Sequence, residues 1–117
     1  MKKVFVFASL AVVALTISYC SASKKAAKKP VKLNYQTNIQ NLVVSYCSPC
    51  HIPAKGGRRP ALDTYASATK NIDDMLRRIQ LNPTDRGFMP DKGKKLSDSV
   101  IRQFVQWKTD GLLEKAQ

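Results

Sequence analysis

Cys47-Ser48-Pro49-Cys50-His51 is the stretch of this 117-residue chain from which the fold can be argued. Two thiols stand three positions apart, and an imidazole follows the second thiol directly. His51 is the only histidine of the chain, and only one further cysteine, Cys20, occurs. Three cysteines cannot build a multi-disulfide scaffold. We therefore interpret this stretch as a functional site.

The C-x-x-C-H spacing is that of a c-type haem attachment site. Each thiol can add to one vinyl group of the haem, and the adjacent imidazole can ligate the iron. A zinc site needs three or four protein ligands, and the chain has no second half for one. A thioredoxin-like pair follows a strand, and no strand pattern precedes this stretch. The sequence thus favours one haem c held by Cys47 and Cys50, with His51 as proximal iron ligand; chance occurrence is the remaining alternative.

An amphipathic helix is predicted immediately before this stretch, over about Gln36–Tyr46. Its apolar residues recur at i, i+3, i+4 and i+7, which places them on one face of a helix. This helix leads directly into Cys47, and Pro49 disfavours its continuation. The apolar face comprises Ile39, Leu42, Val43 and Tyr46.

Two further helices are predicted after the loop of residues 52–60. Asp63 or Thr64 can cap a short helix that ends near Thr69, and Asn71 can cap the next one. Asn82-Pro83 ends that second helix. Its apolar stripe comprises Ile72, Met75, Leu76 and Ile79.

A last helix is predicted to begin after Ser97. Ser97 can serve as N-cap, Leu96 can pack against Ile101, and Gly111 can follow the last turn. Neither a strand pattern nor an internal repeat occurs between residues 33 and 117. We therefore expect an all-α domain with a single haem.

The sixth iron ligand is predicted to be a methionine, because Met/His ligation is the usual pair for electron transfer. Met75 lies on an apolar helix stripe, where methionine is ordinarily core filler. Met89 lies in the loop of residues 83–95, between Phe88 and Pro90, and is therefore favoured. An open iron or a lysine ligand is the alternative, the candidates being Lys92, Lys94 and Lys95.

These motifs, with Phe88-Met89-Pro90 and the W-x-x-x-G spacing of Trp107 and Gly111, resemble a small class I bacterial c-type cytochrome over about residues 35–113. The resemblance implies about four helices packed around one covalently attached haem. It also places Met89 in the distal loop, opposite the proximal side of His51. Ile52 departs from the pattern, because many members carry glycine after the histidine.

Residues 1–20 are predicted to be an export signal. Lys2 and Lys3 precede an apolar run, Val4–Ile17, that is shorter than the roughly 20 residues of a membrane span. Cys20 could be lipidated as in a lipoprotein signal, or cleavage could follow Ala22 or Ser23. Residues 21–34 form a lysine-rich tether, and residues 35–117 the cytochrome c domain. We expect an exported, periplasmic protein, anchored to the membrane if Cys20 carries a lipid.

The charge of the chain is strongly basic, with 20 lysines and arginines against 8 acidic residues. Residues 33–117 keep 13 of the basic residues and all of the acidic ones. No interleaving of basic and aromatic residues is visible, which disfavours nucleic-acid binding. We expect a monomer whose redox partner proteins present an acidic docking surface.

The resemblance implies an electron carrier without enzymatic activity, which transfers single electrons by an outer-sphere route between respiratory or dehydrogenase partners. An electron-entry subunit of a larger oxidase or dehydrogenase complex and a haem sensor with a labile sixth ligand are the alternatives. A peroxidase is disfavoured, because no second catalytic histidine is available. The partners of the haem propionates stay open among Arg58, Arg59, Arg77, Arg78, Tyr65 and Trp107.

Overall fold

The computed structural model describes residues 30–91 and 93–117 of the chain. These residues contain three α-helices, a π-helical turn and a 3-10 turn, Pro53–Lys55. The predicted export signal, Cys20 and the first nine residues of the predicted tether lie outside the described residues, as does Lys92. Residues 31–117 group into one unit. Within the described ranges no strand occurs, only an isolated bridge between Asn34 and Leu113, and no helix is long and apolar enough to cross a membrane. The all-α prediction therefore agrees with the structure.

The first helix begins as a π-helical turn, Tyr35–Ile39, and continues as α1, Gln40–Cys47. Asn34 caps it, because its side-chain oxygen accepts a hydrogen bond from the Thr37 N–H at 3.0 Å. Ile39 and Val43 are fully buried, as their helical spacing predicts. Tyr46 was expected on the same buried face but is 40% exposed. The reason is its position at the end of the helix, where it borders an open hollow instead of the core.

Helix α2 is one continuous element, Tyr65–Gln80, where the sequence predicts two helices. Thr64 is the N-cap and forms a capping box with Ser67, in line with one of the two predicted caps. Asn71 does not start a new helix, because its side-chain amide donates to the Ser67 carbonyl one turn earlier at 2.7 Å. No glycine or proline lies between residues 65 and 80 to end the helix. The described residues therefore contain three α-helices, not about four.

Helix α3, Asp98–Thr109, has the predicted start and end. The Ser97 side chain accepts from the Val100 N–H, which satisfies one free donor of the first turn. At the other end Gly111 has a φ of +95°, which favours glycine. The Gly111 N–H donates to the Lys108 carbonyl and the Leu112 N–H to the Trp107 carbonyl. These two bonds form a Schellman motif.

Trp107 lies at the centre of the core and joins the two ends of the domain. Its indole Nε1 donates to the Leu113 carbonyl at 2.9 Å, and the same oxygen accepts from the Tyr35 N–H at 2.8 Å. The rings of Tyr35 and Trp107 pack at a centroid distance of 5.9 Å. Helix α3 also packs against α2. The turn after α1 and the loop after α2, which are the two segments predicted to carry the iron ligands, thus belong to one domain.

Candidate functional site

Cys47 is the last residue of α1, and the chain turns sharply after it. Ser48 leaves the helix in an extended conformation. The His51 N–H then donates back to the Cys47 carbonyl at 3.0 Å, and the Ile52 N–H to the Pro49 carbonyl at 3.1 Å. The five residues of the C-x-x-C-H stretch thus form a closed turn at the end of a helix.

A loop, residues 52–62, follows the turn and is tied to it by backbone hydrogen bonds. The Arg59 N–H donates to the Cys50 carbonyl, and the Leu62 N–H donates to the His51 carbonyl, each at 3.0 Å. Gly57 lies so close that a Cβ there would be 2.6 Å from the Cys50 carbonyl oxygen. Ile52, which stands where many members of the family that the sequence resembles carry glycine, is buried. The loop therefore supports the turn through main-chain contacts.

The His51 ring is oriented by this loop. Its Nδ1 lies 2.7 Å from the Pro60 carbonyl oxygen. Because a carbonyl can only accept, Nδ1 carries the proton, and the lone pair of the neutral imidazole is on Nε2. A hydrogen bond of this kind is what fixes the tautomer of a metal-ligating histidine. Nε2 is thus the ring nitrogen of His51 that could act as a ligand.

Two adjoining hollows meet at the predicted site, and Cys47, His51 and Met89 line both of them. The first hollow has a volume of about 80 Å³ and is otherwise mainly apolar, with Leu62, Met75 and Ile79 among its lining residues. The second has a volume of about 290 Å³ and includes Cys50 in its lining. All four residues predicted to bind the cofactor therefore border one continuous region.

The two candidate methionines both reach this region, but they differ in their setting. Met75 is buried on α2 and belongs to the hydrophobic core, as its helical spacing predicts. Met89 is only partly buried, lines both hollows and lies in a loop. Its N–H donates to the Arg78 carbonyl at 3.3 Å, which ties the loop to α2. Because both methionines line the first hollow, Met89 as the sixth ligand stays a prediction.

The two thiols differ in burial, since Cys47 is half-buried and Cys50 is exposed. Cys47 and Cys50 are not joined by a disulfide. Burial raises the pKa of the Cys47 thiol to about 11, so it stays protonated at neutral pH. Exchange needs a thiolate, which catalytic thiols obtain from a lowered pKa. Within residues 30–91 and 93–117 there is also no group of three or more histidine, cysteine or acidic side chains that could hold a metal ion. The raised pKa of Cys47 therefore disfavours a thioredoxin-like role for this thiol.

Two of the residues considered as propionate partners are bound elsewhere. The indole N–H of Trp107 is fully buried and donates to the Leu113 carbonyl. The Tyr65 hydroxyl donates to the Leu112 carbonyl at 3.0 Å. Both donors close the C-terminal segment onto the core, because a buried aromatic donor requires a partner there. Trp107 and Tyr65 are therefore removed as candidates.

The four arginines separate by position. Arg59 lines the second hollow and Arg78 the first. Arg58 is exposed and lines neither, and Arg77 lines a different groove, between α2 and α3. Of the four arginines considered as propionate partners, Arg59 and Arg78 therefore border the site, whereas Arg58 and Arg77 do not.

The lysines considered as competing ligands are only partly described. The Lys95 ammonium donates to the Gln80 carbonyl at 3.2 Å, at the end of α2. Lys94 is exposed. Neither lines the two hollows.

Two supports of the site had no signal in the sequence. The Pro60 carbonyl orients His51, and the Arg78 carbonyl holds Met89. Both are main-chain groups that every residue carries, so no residue type marks them.

The chain was also compared with family models, curated proteins and solved structures, and none of these comparisons found a match.

Proposed function

We propose that this chain is an exported monohaem c-type cytochrome that transfers single electrons between protein partners. The observation that carries the proposal is the setting of His51, whose Nδ1 donates to the Pro60 carbonyl while its ring lines the same hollows as Cys47 and Met89. An imidazole held in this way beside two free thiols fits a covalently attached haem. The helical architecture supports a small class I cytochrome c fold around it.

Cys47 and Cys50 would hold the haem covalently. Each thiol would add across one vinyl group, with a carbon–sulfur bond formed at one vinyl carbon and the thiol hydrogen passed to the other. No oxidant would be needed for this addition. Cys47 at the end of α1 and Cys50 in the following turn both border the second hollow, which supports attachment through both thiols.

His51 Nε2 and the Met89 sulfur would be the iron ligands. When bound, a haem would supply an iron that carries one electron by cycling between its ferrous and ferric forms. The residues of the chain would exclude water and fix the two ligands. Apolar side chains of the first hollow, among them Leu62 and Ile79, provide the dry environment. With His51 and Met89 as its two protein ligands, the iron would offer no open position to a substrate.

A basic cluster beside the site supports docking of an acidic redox partner. Lys55, Arg58 and Arg59 are exposed on the loop that carries Pro60. Arg59 also lines the second hollow. Opposite charges steer such encounters, and the interfaces of redox pairs are small and short-lived. The electron-entry subunit of a larger complex would use the same surface.

The haem proposal is tested by producing the full chain in a bacterium that attaches haem outside the cytoplasm. Mass spectrometry should show one haem added, and Cys47→Ala and Cys50→Ala should each leave one thioether or none. The same spectrum gives the cleavage site and any lipid on Cys20. A mature protein with no haem mass would overturn the proposal.

The ligand set is tested by comparing Met89→Ala with Met75→Ala. The ferric wild type should be low-spin and show the weak long-wavelength charge-transfer band of methionine-ligated haem. Met89→Ala should lose that band, whereas Met75→Ala should keep it and lose about 2–5 kcal/mol of stability as a core truncation. If only Met75→Ala lost the band, Met75 and not Met89 would be the ligand. Binding of carbon monoxide by the reduced wild type at neutral pH would indicate the haem sensor instead.

A further inference from the structure

The last turn of α2 holds the loop that carries Met89 at two points. The last four carbonyls of a helix lack partners within it. In α2 the Arg78 carbonyl accepts from the Met89 N–H at 3.3 Å, and the Gln80 carbonyl accepts from the Lys95 ammonium at 3.2 Å. The segment of residues 89–95 is thereby attached to α2 at both of its ends.

The Arg78 side chain adds a third attachment. Its Nη1 donates to the Gly87 carbonyl at 3.3 Å, and its Nε donates to Asp74, one turn earlier on α2. Gly87 has a φ of +90°, and a Cβ there would lie 3.3 Å from Nη1. The guanidinium therefore lies directly against the Gly87 backbone. Asp74 fixes its orientation from the other side.

Arg78 thus binds both ends of the tripeptide Gly87-Phe88-Met89, through its side chain at one end and its carbonyl at the other. Phe88 between them is buried. A displacement of the Met89 backbone away from the hollow would have to break the bond from Arg78 Nη1 to the Gly87 carbonyl or the bond from the Met89 N–H to the Arg78 carbonyl. The side-chain bond can be removed by substitution, whereas the main-chain bond cannot.

We propose that Arg78, oriented by Asp74, is the positioning residue that keeps Met89 at the iron. The inference rests on the proposed function, in which Met89 is the sixth ligand. Arg78 itself does not touch the metal. Its effect is to make the protein ligand harder to displace, because an external ligand can bind only when Met89 moves away.

Arg77 provides a matched control. It is the adjacent arginine, it also pairs with Asp74, and it has the same charge. It lines the groove between α2 and α3, however, and makes no hydrogen bond to the Met89 loop. Arg77→Gln therefore removes one positive charge and one partner of Asp74 without touching the loop.

The experiment is a titration of the ferric haem-loaded protein with imidazole. Loss of the methionine charge-transfer band measures how much imidazole has bound. Arg78→Gln should bind imidazole about tenfold more tightly than the wild type, as expected for loss of one charge-assisted hydrogen bond. Arg77→Gln should stay within about twofold, the change of an exposed charge. Should Arg78→Gln not fold, Asp74→Asn serves instead and should move the affinity in the same direction by a smaller factor.

Equal imidazole affinities for Arg78→Gln, Arg77→Gln and the wild type would overturn the inference while the proposed function stands. A changed reduction potential of Arg78→Gln with unchanged imidazole affinity would also overturn it, because it would mark Arg78 as a propionate partner only. A wild type without the methionine band would instead be a failure of the proposed function, and the inference would fall with it.

Discussion

Replacement of Gly57 by alanine tests how closely the loop of residues 52–62 supports the C-x-x-C-H turn. A Cβ at this position would lie 2.6 Å from the Cys50 carbonyl oxygen, 0.8 Å inside the 3.4 Å at which ordinary contact begins, and still closer to that of Pro49. Both obstacles are main-chain atoms, so no flexible side chain can move aside. Overpacking of this kind costs about 1–3 kcal/mol. With two carbonyls obstructed, we expect a loss at the upper end, about 2–3 kcal/mol.

Gly56→Ala is the matched control, because it places the same methyl group one residue earlier. A Cβ at Gly56 meets nothing within 4 Å, but the φ of +81° is unfavourable for alanine. That strain is roughly 1–2 kcal/mol and is offset in part by the lower entropy of the unfolded chain. The net cost should be about 1 kcal/mol or less. The two variants thus separate backbone strain from contact with the turn.

The assay is thermal unfolding of the haem-loaded protein, combined with the yield of haem attachment. For a domain of this size about 2–3 kcal/mol corresponds to a decrease in Tm of roughly 10–20 °C. Gly57→Ala should show that decrease and a lower fraction of chains carrying haem, since the Cys50 peptide must shift. Gly56→Ala should attach haem as the wild type does. If Gly57→Ala were no less stable than Gly56→Ala, the loop would not support the turn as described.

Three further predictions concern the frame of the domain. Burial, and then the Asp63 charge, raise the pKa of Tyr35 to about 12. The stability that the protonated Tyr35 hydroxyl contributes is therefore fully present below pH 10 and is lost as the pH rises toward 12. In urea unfolding Tyr35→Phe should reduce this alkaline loss of stability, and an unchanged loss would contradict the assignment to Tyr35. Trp107→Phe removes the donor to Leu113 and should cost about 2–3 kcal/mol in the same assay at pH 7, whereas a cost under about 0.5 kcal/mol would show the bond to be unimportant. Ser97→Ala removes the N-cap of α3 and should cost about 1 kcal/mol, with no change in the haem spectrum; a spectral change would mean that α3 shapes the site directly.

The helices could be predicted where apolar spacing and end signals agree. Thr64, Ser97 and Gly111 are found at the ends for which their chemistry suits them. Asn71 was misleading, because an asparagine side chain can also bond to a carbonyl of the preceding turn within a helix. A capping residue ends a helix only where the chain also has a reason to leave it, and α2 has none before Gln80.

That Cys47, Cys50, His51 and Met89 line neighbouring hollows agrees with the sequence-based prediction of one site, whereas the main-chain groups that support them could not be predicted. Cys47, Cys50 and His51 are adjacent in sequence, and Met89 was chosen because it lies in a loop. Trp107 was a poor candidate for a propionate partner for a physical reason that only the fold reveals. Its indole lies under the C-terminal segment, where the Leu113 carbonyl is within hydrogen-bond distance.

The two predicted axial ligands differ in how their support can be changed. The orientation of His51 depends on the Pro60 carbonyl and on a loop held by main-chain bonds, so no side-chain replacement removes it without displacing the loop. The position of Met89 depends in part on the Arg78 guanidinium, which a single substitution removes. If His51 and Met89 ligate a haem as proposed, substitution of Arg78 should therefore weaken methionine ligation, and with it the resistance to external ligands, while the attachment turn stays intact. In the proposed cytochrome, the boundary between an electron carrier and a ligand-binding sensor would accordingly lie at Arg78, not at the C-x-x-C-H turn.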